Sequence, residues 1–107
     1  MSLTVYLKEM CPTDVYRGNV THNLTKMALA AGLYEVLWRP EELGFTQAKQ
    51  LIQPLQDGLT ALQADPPRYK DLEPSNGWGT YEGLVGFVTG YLTACQEHPD
   101  ATLEISR

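Results

Sequence analysis

The chain has few of the residues that usually announce a chemistry. Two cysteines, Cys11 and Cys95, and two histidines, His22 and His98, occur in 107 residues. The cysteines stand far apart and match no metal-ligand spacing, so neither a metal site nor a disulfide framework is expected. No basic segment followed by an apolar one opens the chain as in an export signal. The expected setting is therefore reducing and cytoplasmic, with free thiols. Lys and Arg number 8 against 13 Asp and Glu, a formal net charge of −5. Lys26, Lys49, Arg68 and Lys70 are scattered rather than striped, which disfavours nucleic acid and anionic membranes as partners. The longest apolar stretch, Met27 to Tyr34, falls far short of the ~20 residues of a membrane span.

What is present suits one small core. Hydrophobic residues make up 43% of the chain, and no repeat or linker divides it, so residues 1–107 are expected to form a single domain. Leu3, Val5 and Leu7 alternate with polar residues, as do Leu103 and Ile105. Both segments are expected to be strands, paired with each other. Three helices are expected between them. The first runs from about Val20 to Ala31 with Asn19 as its cap, is interrupted at Gly32, and continues to Trp38 until Pro40 stops it. The second runs from about Thr46 to Ala64 on a stripe of Ala48, Leu51, Ile52, Leu55, Leu59 and Leu62, kinked at Pro54. The third runs from about Thr80 to Glu97 on Leu84, Val88, Tyr91, Leu92 and Cys95, with Thr80 as cap. Arg68 to Leu72 is expected to add a short turn of helix. The fold class is α+β, mostly helical, with a two-stranded sheet in the order β-α-α-α-β.

Few residues suggest a site. Cys95 falls on an apolar helical stripe and reads as a small buried hydrophobe. His22 lies opposite the apolar face of the first helix and reads as a solvent-facing or capping side chain, with a ligand or general base as the alternative. Trp38-Arg39-Pro40-Glu41-Glu42 reads as a helix exit whose Trp covers the core while Arg39 and the acids form solvated ion pairs. Asn76-Gly77-Trp78-Gly79 feeds a helix N-terminus. Such a turn can cradle an anion, or bury Trp78 through a close backbone approach. Gly83, Gly86 and Gly90, with Ala94, form a strip of small residues along the third helix where another backbone could approach.

Thr21-His22-Asn23-Leu24, Leu37-Trp38-Arg39-Pro40-Glu41, Asn76-Gly77-Trp78-Gly79, Tyr91-Leu92 with Ala94-Cys95, and the final Ser106-Arg107 occur in that order. Together they resemble a family of small uncharacterised proteins that shares these words over nearly the whole chain from Val20 onward. The resemblance implies no activity and no catalytic residue. Two functions are weighed on these residues. The first is a non-enzymatic interaction module that needs no cofactor or metal. It would bind a protein partner or a second copy through Gly83, Gly86, Gly90 and Ala94, with acidic charge favouring a basic partner. The alternative is a small-molecule or anion pocket of Asn23, Arg39, Asn76, Glu82 and Arg107, joined by His22, Trp78 and Tyr81.

Overall fold

Alternation at the start of the chain produces strand β1 (Ser2–Lys8), with Leu3, Val5 and Leu7 fully buried on one face. The structure, a computed structural model, describes residues 2–8, 14–73 and 79–106, without the side chains of Ser2, Asp14, Val15 and Asn23. Asn76, Gly77, Trp78, Arg107 and Cys11 lie outside the described residues. β1 is the middle strand of a three-stranded antiparallel sheet of order β2-β1-β3. The C-terminal strand β3 (Thr102–Ser106) pairs with it as expected, Val5 opposite Ile105 and Leu7 opposite Leu103.

The second strand, β2 (Asp14–Thr21), corrects the expected two-stranded sheet. It places Tyr16, Gly18 and Val20 opposite Leu7, Val5 and Leu3 on the core face. The middle position of that set is glycine, so the apolar alternation is broken. A Cβ there would lie 2.8 Å from the Tyr16 hydroxyl and 3.1 Å from Phe87, because aromatic rings occupy the space. Val20 and Asn19 thus belong to a strand and not to the first helix. The residue before α1 is Leu24 and not Asn19, whose Nδ2 donates to Thr4 Oγ1 across the sheet at 2.8 Å.

Among the described residues, five helices follow in place of three: α1 (Thr25–Ala30), α2 (Tyr34–Trp38), α3 (Ile52–Ala64), α4 (Pro66–Lys70) and α5 (Tyr81–Glu97). A 3-10 turn, His22–Leu24, carries β2 into α1, and Gly32 at φ +77° separates α1 from α2. α2 stops before Pro40, which opens a second 3-10 turn, Pro40–Leu43. The second expected helix starts late, because Gln47 is extended and bridges Thr102. Pro54 therefore falls in the first turn of α3, where its missing N–H has no intrahelical role and no kink need follow. α5 matches its expected limits, and the Thr80 hydroxyl accepts the Gly83 N–H at 3.0 Å. Its stripe of Leu84, Val88, Tyr91, Leu92 and Cys95 is buried against α3 and β2. Among the described residues, no helix is long and apolar enough to cross a membrane.

Candidate functional site

Residues 21–24 meet two of the other segments singled out in the sequence. The turn His22–Leu24 brings His22 to the end of α2, with its ring centroid 6.1 Å from that of Trp38. Trp38 is buried and stacks on Tyr34 at 5.8 Å, their planes 12° apart. His22 Nε2 is buried with no hydrogen-bond partner among the described residues. Gly79, the last residue of the third word, packs on the first. Its φ of +133° suits glycine, and a Cβ would stand 2.9 Å from Thr21 Cγ2 and 3.0 Å from Leu24. The expected close backbone approach in this word is thus present at Gly79.

The two proposed anion ligands whose side chains are described, Arg39 and Glu82, engage different neighbours. Arg39 donates to Tyr34 and lies 3.7 Å from Glu42. That bond first, and then the nearby Glu42 and Glu41, raise its pKa. It is the solvated ion-pair arrangement expected of a helix exit. Glu82 instead faces α4, 3.4 Å from Lys70. Its own main-chain N–H, then Lys70, hold its carboxyl below the usual value. Tyr81 is a structural anchor. Its ring is buried, its hydroxyl donates to the Leu62 carbonyl at 2.5 Å, and its N–H donates to Glu73 at 2.6 Å. The Asn23 side chain, Asn76, Trp78 and Arg107 lie outside the description.

The glycine strip also divides. Ala94 is buried, and a Cβ on Gly90 would approach the Tyr16 hydroxyl to 3.3 Å, so this end packs inside the chain. Gly83 and Gly86 are exposed, and a Cβ on Gly86 would meet nothing within 4 Å. Gly86→Ala should therefore raise stability by about 0.5–1 kcal/mol in thermal unfolding, through helix propensity alone. Gly90→Leu should lower it by about 1–3 kcal/mol by crowding Tyr16. Equal effects at both positions would show that the strip is not divided in this way.

The buried thiol of Cys95 is pushed up from 9.0 to about 12 by desolvation, which makes it a poor nucleophile. Among the described residues, no three His, Cys, Asp or Glu side chains gather closely enough to hold a metal ion.

The surface that stands out was not selected from the sequence. Leu29 of α1 is 65% exposed and Leu43 is 40% exposed. Two grooves share Leu29 and Tyr34. One of about 170 Å³ is lined also by Gly32, Glu35, Val36 and Leu43, and one of about 210 Å³ by Thr25 and Lys26. The available signal was that Leu29 falls outside the Leu24, Met27 and Ala28 face that α1 buries. A third groove, of about 310 Å³, lies beside β3 and is lined by Pro40, Glu41, Phe45, Leu103 and Ile105. None of the three is lined by His22, Arg39 or Glu82. No family model, curated protein or solved structure matches the chain.

Proposed function

We propose that the protein is a non-enzymatic docking module. Its contact surface is the apolar shoulder of Leu29, Tyr34 and Leu43, and its partner presents an apolar anchor flanked by Lys or Arg. The supporting observation is the 65% exposure of Leu29, which together with Tyr34 lines two grooves. Covering a leucine of this kind is worth about 1.5–3 kcal/mol to a complex. Scattered exposed leucines are ordinary; a leucine continuous with Tyr34, Val36 and Leu43 is a patch. Glu35 lines the groove and Glu41 and Glu42 follow it, on a chain of net charge −5, so complementarity favours a basic partner. Lys26 stands at the opposite end. The anion-pocket reading has less support, because Arg39 and Glu82 engage separate neighbours.

The test is an NMR titration with a synthetic amphipathic peptide of alternating Leu and Lys faces. Saturable shifts should gather at Leu29, Gly32, Tyr34 and Leu43. Leu29→Ser, which keeps the charge, should weaken binding about tenfold or more while leaving thermal unfolding nearly unchanged. Shifts gathered elsewhere, or undiminished binding by Leu29→Ser, would overturn the proposal.

A further inference from the structure

Among the described residues, β3 is an edge strand covered only in part. Along its outer side, Leu103 N–H donates to the Thr46 carbonyl at 3.0 Å and Ala48 N–H to the Ala101 carbonyl at 2.9 Å. These bonds flank the Gln47–Thr102 bridge, so residues 46–48 act as a fragment of a fourth strand. The fragment ends there for two reasons. The Thr46 N–H turns away from the strand and donates to Gln50 Oε1 at 2.7 Å. Just before it, Gly44 at φ +76° closes the Pro40–Leu43 turn and leads the chain off the edge. Strand geometry then decides what remains open. Leu103 N–H points outward, so the N–H and C=O of Ile105, two residues on, point outward as well. Among the described residues, neither bonds to anything beyond the sheet.

The open position lies over an apolar groove. Pro40, Glu41, Phe45, Leu103 and Ile105 line the space of about 310 Å³ beside this edge. Leu103 and Ile105 stay half-exposed, although their β1 neighbours Leu7 and Val5 are fully buried. An extended backbone and one apolar side chain would complete both features. The other sheet edge, β2, does not border this groove.

We infer that the outer edge of β3 at Ile105 takes an extended segment of a basic partner protein by strand addition. One residue of that segment exchanges two main-chain hydrogen bonds with Ile105 and seats an apolar side chain between Phe45 and Ile105. Its neighbours in sequence project to the opposite face, where Glu104 already pairs with Lys8 at 2.6 Å, while Glu41 borders the groove itself. Glu41 at the groove and the net charge of −5 favour a segment that carries Lys or Arg beside its apolar residues. This site is separate from the α1–α2 shoulder and stands or falls independently of it.

The probe is a six-residue peptide of alternating Lys and Val, blocked at both ends, titrated into the full chain and followed by NMR. Shifts should gather at residues 103–106 and Phe45, and hydrogen exchange at the Ile105 amide should slow. N-methylation of the Val residues removes the donors facing β3 and should weaken binding about tenfold, whereas N-methylation of the Lys residues should be tolerated. Ile105→Pro deletes an N–H that the sheet does not use, so it should fold and lose binding. Phe45→Asp reports on the groove should the proline variant fail to fold. Equal binding of the two methylated peptides, or shifts confined to the α1–α2 shoulder, would overturn the inference. So would Ile105 protection that appears without peptide and rises with protein concentration, because the occupant would then be a second copy.

Discussion

Leu33→Ala is expected to lower the free energy of unfolding by about 2–5 kcal/mol, and Gly58→Ala by about 1–3, with the double variant losing clearly less than the sum. Leu33 is fully buried, and its side chain lies where a Cβ on Gly58 would stand, 2.2 Å from Cδ2 and 2.3 Å from Cγ. α3 can approach the α1–α2 junction only because Gly58 has no side chain. Removing the leucine leaves a cavity; adding a methyl to Gly58 alone forces the leucine from its rotamer. Together, the new methyl fills part of the space the leucine vacates, and the two costs partly cancel. Urea unfolding of the four proteins closes the cycle. Additive losses would show that Leu33 and Gly58 do not share one packing site.

Stability should also collapse at alkaline pH, and a core cluster sets the direction. Burial raises Cys95 from 9.0 to about 12, and raises Tyr91 and Tyr16 above 10.0, with Cys95 adding to both tyrosine shifts. Tyr16 and Tyr91 stack at 5.8 Å. Each group is neutral when protonated, and the unfolded chain releases these protons near the ordinary values. Above about pH 9 the unfolded state therefore binds fewer protons than the native one, so stability falls as pH rises. Each proton that only the native state retains contributes ~1.4 kcal/mol per pH unit. The half-exposed Tyr16 contributes less, since water screens it. Stability from these groups is fully present below the unfolded values and is lost towards the raised native ones. Tyr91→Phe should flatten the decline between pH 10 and 12. It should cost little at neutral pH, because the Tyr91 hydroxyl has no hydrogen-bond partner among the described residues. Thermal unfolding from pH 8 to 12 reads both effects. An unchanged slope in Tyr91→Phe and in Cys95→Ala would place the loss elsewhere.

The α+β class, the pairing of β1 with β3, and α5 with its cap and apolar stripe were legible residue by residue. The strands, the helix and its cap follow from period or a capping hydroxyl, which act within a few residues of chain, and the pairing follows because two lone strands are marginal unless they meet. β2 was not legible, because its central core position is Gly18, filled from outside by Tyr16 and Phe87. At the site, sequence brought forward Arg39 and Glu82 as partners, but a helix exit and a helix start hold them to Glu42 and Lys70. It brought forward Tyr81 as a ligand, but that hydroxyl is committed to the Leu62 carbonyl.

Read alone, then, the residues determined that β1 and β3 would be strands and α5 a helix, and that Cys95 would fall on the buried stripe of α5. Only the assembled chain decided which apolar side chains would go uncovered, as Leu29 does, and which strand edge would stay open, as at Ile105. Burial depends on what arrives from distant segments, and local pattern carries no record of that.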